Sequence, residues 1–411
     1  MITSGNPKHS RTPGRFFLPR RPTIWELAGF LILGLLPGLM SSQAARAAGI
    51  GAQFPSEKMT CTDAQTGLVI TVLTRAPGMD NKLYQTHPSW LADGKHIVFV
   101  SDRAGSPQLF AVNEETGVIT QLTQGPPVSH AYPGRRDNDL FLFQDQRVKR
   151  IDVGAVLGDC AQGEIQSATA YETVLAAFPE EMEIRDVPSI DADGKWLYTS
   201  GRDPKTDEWF LIKLNLESGE WTRFLKTPFM TGHVQANPVV PGLIMYCHET
   251  GGDAPQRIWV TRSDGSGNMP FYQESPDEWV THEVWWGMDR ALFNISEETA
   301  KMGNKPFGVA SVRYPDREAV LHYRGPNWHV CGSPDQRYAV VDTFRGELIL
   351  IDPARGETRL LTQGHRPRKN VHMHPSFSPD GRRVLFVSEC FGNYDIMTIE
   401  IPLWSELKKQ P

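Results

Sequence analysis

Histidines recur at matched spacings in this chain. His372 and His374 stand two residues apart in NVHMHPSFSPDG, Asn370 to Gly381, so in an extended strand their rings leave the same face. His374 lies six residues before Asp380, His329 six before Asp335 and His87 six before Asp93, each aspartate opening a turn. Imidazoles gathered at one height can hold Mn, Fe, Zn, Ni or Cu, and the ligand type alone leaves the ion's identity open. One such histidine is ordinarily hydrogen-bonded filler; three in register, with a fourth two residues away, favour a metal site. A further histidine, His282 in EWVTHEVWW, precedes a turn of different length. A neutral imidazole there is suited to taking a proton near neutral pH. Trp279, Trp285 and Trp286 beside it read first as packing and second as a partial sugar platform.

A repeated strand pattern must place these rings. One phrase recurs from Trp90, Ile190, Gly332 and Phe377: strand, Asp-Gly-type turn, alternating strand, loop, strand. Weaker turns fit around Gly134, Pro241 and Gly287, and no amphipathic helix of any length is expected to interrupt them. Hairpins at a period of about 40 to 50 residues are the signature of propeller blades. The expected fold is therefore all-β, a seven-bladed β-propeller, as a single domain over residues 55–403 with a short tail at 404–411. Thr66 to Thr74 is expected to close the ring by joining the last blade. The matched histidines then begin innermost strands near the mouth of the central channel, on blades one, six and seven.

The composition suits a folded globular chain: 40% hydrophobic, with a net charge of −6 from interspersed acids and bases. No basic face tracks a phosphate backbone, which argues against a nucleic-acid partner. Basic residues through Arg21, an apolar run interrupted by Pro37, and Ala45-Arg46-Ala47 mark residues 1–47 as a secretory signal peptide with a loose twin-arginine look. Export to the periplasm or beyond follows, with no stable membrane span after processing. Retention as a membrane anchor by the uncleaved signal is the alternative. Five scattered cysteines make no disulfide framework and read as small apolar thiols.

These segments together resemble the oligogalacturonate lyases, pectin-degrading enzymes built on a seven-bladed propeller. The resemblance is carried by GHVQANPVVPGLIMYCHETGG from Gly232, QRIW around Arg257, WVTHE with His282, WHVCGSPD with His329 and VHMHPSFSPDG with His372 and His374. It implies that His282 is the Brønsted base, that Arg257 binds the substrate carboxylate, and that His329, His372 and His374 hold a divalent metal, usually manganese in that family. The family's fourth ligand, a glutamine, is replaced here by Lys369, whose ammonium cannot coordinate a cation. His87 or His365 could complete the shell, water could fill it, or the Lys369 ammonium could take the metal's place. Arg257, Lys369, His87 and His233 form the expected substrate-binding set, with His248 near the cleft rim.

The implied reaction is metal-assisted β-elimination on an acidic oligosaccharide, an oligogalacturonide, leaving a 4,5-unsaturated uronate. Removing a proton α to a carboxylate places a second negative charge beside the first, so cations must spread it. No second acid is apparent in the sequence, which leaves water or a substrate hydroxyl to protonate the departing oxygen. The competing reading is a non-catalytic periplasmic propeller of the TolB-like repeat type that binds proteins or carbohydrate. It accounts for the Asp-Gly hairpins but not for THE, the Arg257 context or the His-x-His pair. A serine-peptidase propeller is excluded by the lack of a G-x-S-x-G elbow.

Overall fold

The Asp-Gly turns close hairpins by one device. Asp93 Oδ1 accepts from the backbone N–H of Lys95 and His96, and Asp193, Asp335 and Asp380 accept in the same way from Lys195, Arg337 and Arg382. Gly94, Gly194 and Gly381 take the left-handed backbone the turn requires, with φ of 67 to 70°; Gln336 fills that slot at φ 57°. A computed structural model describes residues 49–128, 130–250, 254–276, 278–295, 307–366 and 372–408. The expected signal segment 1–47, Lys369 and the end of the 404–411 tail lie outside the described residues.

Those residues form seven antiparallel sheets of four or five strands, each built mainly from consecutive strands. The chain is a seven-bladed β-propeller. The ring closes as expected: Val69–Val72 pairs with Asp395–Glu400 of blade seven, and Met59–Thr62 adds a further outer strand. Gln53–Phe54, just ahead of the expected domain start, extends blade one on its outer edge. One expectation fails: a helix, Val153–Gln162, interrupts blade two before its outer strand Glu172–Ala177. Asp152 caps its N-terminus through the Ala155 N–H, and Gly163 ends it in the left-handed region. Gly154 and Gly158 lower its helix propensity, and only Val153 and Val156 are buried, so the sequence carries little helical periodicity.

Neighbouring blades are locked by large side chains crossing between them. Trp286 of blade five lies on Gly332 of blade six, where an added Cβ would come within 2.1 Å of the indole, and its Nε1 donates to the Ser333 carbonyl at 3.1 Å. Trp285 donates to the Gln235 carbonyl of blade four at 2.9 Å. Both indoles are therefore packing, and they fix the relative heights of the strands that bear His233, His282 and His329.

Arg103 strengthens the closure, donating to Glu57 at 2.8 Å and to Asp80 at 2.7 Å with its side chain 5% exposed. Behind that bridge, Asp395 is fully buried and neither carboxylate oxygen has a hydrogen-bond partner. Burial, and then the Asp80 charge, push its carboxyl up to about 7 from an ordinary 3.8. Because the folded state holds this proton more tightly than the unfolded chain, the associated stability is complete below pH 3.8 and is lost as pH rises through about 7. Asp395→Asn should match the parent at pH 4 and exceed it above pH 7, by at most roughly 4 kcal/mol. Equal unfolding midpoints of the two proteins at pH 8 would contradict the burial argument.

Candidate active site

Backbone geometry turns three histidines toward the axis. His233, His282 and His374 have φ of 49, 55 and 45°, a region that non-glycine residues seldom adopt and that costs on the order of 1–3 kcal/mol each. Two of them sit in β-bulges. In blade four, Gly232 pairs with Cys247 but Gln235 with Met245; in blade five, Thr281 pairs with Asn294 but Val284 with Leu292. Each bulge adds one residue to the innermost strand and re-aims the histidine side chain.

The imidazoles converge. Ligand atoms of His329, His372 and His374 lie within 4.8 Å of one another. The His329 ring centre stands 4.1 Å from that of His374 and 4.3 Å from that of His282. Asp342, on the second strand of blade six, organises the group. It lies 3.1 Å from His329 Nδ1 and accepts the backbone N–H of both His329 and His374. A carboxylate on Nδ1 leaves Nε2 of His329 as the nitrogen available to a cation, an arrangement usual for histidines that support a metal.

Electrostatics favour neutral imidazoles. Burial, then a neighbouring histidine (His372 for His329, His329 for His374) and Lys82, hold His329 and His374 well below the ordinary histidine range, and burial likewise lowers His372. Three neutral imidazoles with a shared focus are the donor set a divalent cation needs, so these residues fit a metal. Burial also raises Asp342 to about 7 and lowers Lys82, whose Nζ donates to the Leu83 carbonyl, to about 7.

A second group adjoins the first. Glu283 is fully buried and takes Arg257 Nε at 2.9 Å and His233 Nδ1 at 3.0 Å, while Arg257 Nη2 reaches Glu249 at 3.4 Å. Burial opposes the Glu283 charge, but Arg257 and His233 hold its carboxyl well below the usual range. Burial likewise opposes protonation of His233, yet the Glu283 charge leaves its pKa raised. Arg257 thus has protein carboxylates on two of its three nitrogens. Burial first, then His329, His233 and Arg257, keep His282 well below the ordinary value and so neutral.

Tyr84 lies at the centre, a residue the sequence did not single out. Its hydroxyl is 2.9 Å from His282 Nδ1, and its ring stands edge-on to His374, His233 and His329 at 4.9, 5.6 and 6.4 Å. Burial raises its pKa. It also lines a 560 Å³ cavity with His130, Gln144, Arg185, Asp186 and His233.

His87 departs from the expected height. A tight turn, with His87 N–H donating to the Tyr84 carbonyl, breaks the inner strand of blade one, so Tyr84 takes the place among the histidines. The His87 ring instead meets Tyr132, and His87 lines a separate 150 Å³ cavity. His365 is engaged at both nitrogens, by Thr362 and Ser388. Neither belongs to a metal-capable group among the described residues. His248 stacks on Phe229.

No protein-family model matches the chain. An oligogalacturonate lyase of Dickeya dadantii is 23% identical, the match covering 84% of this chain and 96% of that protein. An oligogalacturonide lyase of Pectobacterium atrosepticum is 22% identical, covering 86% and 98%. Among solved structures, an oligogalacturonate lyase in complex with manganese superposes with TM-score 0.76 at 21% identity, over 87% of this chain and 99% of its own. One from Vibrio parahaemolyticus gives 0.76 at 19%, over 86% and 99%. The solved structures share the fold. With nearly the whole length of its curated relatives matched, the chain is a seven-bladed β-propeller lyase. Over that length it resembles the oligogalacturonate lyases.

Proposed function

We propose that the protein cleaves oligogalacturonides by metal-assisted β-elimination, giving 4,5-unsaturated uronate products. One observation carries this reading above others: a neutral imidazole in a strained bulge, His282, has its ring centre 4.3 Å from that of His329, a member of the metal-capable trio. A base beside a cation site is what abstraction of a proton α to a carboxylate demands. His329, His372 and His374 would hold the divalent cation, manganese in the solved relative, and when bound it supplies positive charge that stabilises the carbanion. Asp342 keeps His329 in the ligating tautomer. His282 takes the C5 proton. Arg257 and His233 add cationic character beside the carboxylate, with Glu283 fixing both in place. Lys369 serves the substrate's acid groups. Residues 1–47 direct export, and no helix among the described residues is long and apolar enough to cross a membrane.

The test is incubation with di- and trigalacturonate, polygalacturonate and an ulvan-type uronate, with and without manganese. The expected outcome is an ultraviolet-absorbing unsaturated product from the short galacturonates, abolished by chelation and restored by the ion. No product from any of these compounds under either condition would leave a non-catalytic binding propeller as the reading.

A further inference from the structure

We infer that Tyr84 is the proton donor to the departing oxygen, refilled by His282, so that base and acid form one relay; this rests on the β-elimination proposed above. The sequence left the leaving group without an acid. The fold supplies one from blade one, 198 residues from His282, with its hydroxyl 2.9 Å from His282 Nδ1 and its side chain on the wall of the 560 Å³ cavity.

The contact admits either tautomer of His282, and the relay uses the one protonated at Nδ1. With Nδ1–H donating to the Tyr84 oxygen, Nε2 of His282 carries the free lone pair and Tyr84 keeps its own proton to donate elsewhere. As Nε2 takes the C5 proton, the C5–H electron pair becomes the C4–C5 double bond. The C4–O4 bond breaks with its pair on O4. The Tyr84 hydroxyl proton passes to O4, and the Nδ1 proton of His282 passes to the Tyr84 oxygen. Every proton and electron pair is accounted for, both side chains end neutral, and His282 holds its proton on Nε2 until exchange with water resets it. The relay has a local electrostatic reason. A proton gained at Nε2 alone would leave a positive ring facing Arg257 and the rings of His233 and His329, whereas release from Nδ1 in the same step avoids that charge. Contacts of its ring with His374 and His233 help to hold Tyr84 in place.

Tyr84→Phe keeps the ring and removes the hydroxyl. The variant is compared with wild type on digalacturonate, whose leaving group is a poorly acidic alcohol, and on a galacturonate bearing 4-nitrophenol at O4, which departs without protonation. On digalacturonate kcat should fall by at least about 100-fold with KM within about threefold. On the nitrophenyl compound the loss should stay under about tenfold, which also establishes that the variant is folded. Equal losses on the two compounds, or none on either, with an active wild type would overturn the relay alone. A wild type that forms no unsaturated product from either compound would overturn the lyase reading and the relay with it.

Discussion

His282→Asn should lower turnover of digalacturonate by about 10³-fold while leaving the melting temperature within a few degrees of the parent. Asparagine is the informative replacement because it tolerates the left-handed backbone that position 282 adopts at φ 55° better than most residues, so the bulge survives and only the proposed base is lost. The magnitude follows from the general-base contribution, which spans about 10²- to 10⁴-fold in well-positioned sites. KM should change little, since a base acting on C5 contributes to the transition state more than to binding. Product formation is followed by ultraviolet absorbance. Activity within tenfold of wild type would remove His282 from the mechanism, and the neighbouring trio would then have no base beside it on blade five.

Arg257→Met should cost about 3–5 kcal/mol of folding stability, read by urea unfolding, in addition to abolishing activity. The reason lies in Glu283, which is fully exposed to neither water nor a second strong cation once Arg257 is gone: its side chain is 0% accessible and only His233 remains beside it. An uncompensated buried carboxylate is far more costly than the intact pair is stabilising. The double variant Arg257→Met, Glu283→Met should therefore recover most of the lost stability, with none of the lost activity. A single variant as stable as the parent, or a double variant no better than the single, would mean that the ion pair does not organise this face of the channel. Together the two sets of variants separate a residue that acts on substrate from one whose first duty is to hold the neighbourhood of His233 and His282.

Local signals made the frame readable. An aspartate three or four residues before a strand, followed by a residue in the left-handed region (glycine at three of the turns, Gln336 at the fourth), accepts a backbone N–H two residues on and reverses the chain, so the hairpins at Asp93, Asp193, Asp335 and Asp380 needed no tertiary information. The same turns served as rulers, and at His329 and His374 the ruler measured true because the residues between histidine and turn are extended. At His87 it did not. Tyr84 to His87 make a turn of their own, and a single reversal is enough to move one residue off a shared height and bring another onto it. The helix at Val153–Gln162 escaped for a related reason, its two glycines and sparse buried positions giving no amphipathic period.

By itself, then, the sequence determined the hairpin repeat, the blade architecture, the closure by Val69–Val72, and the identity of the histidines that gather near the axis, because each depends on short-range chain geometry repeated along the chain. Tertiary structure alone decided what surrounds them. Tyr84 meets His282 across 198 residues, Glu283 gathers Arg257 and His233 from blade four, and Asp342 supports two histidines from different blades. No local spacing encodes such meetings, since they arise where seven sheets point their inner strands at one axis, and the height of each side chain there depends on bulges and turns that add or remove a single residue.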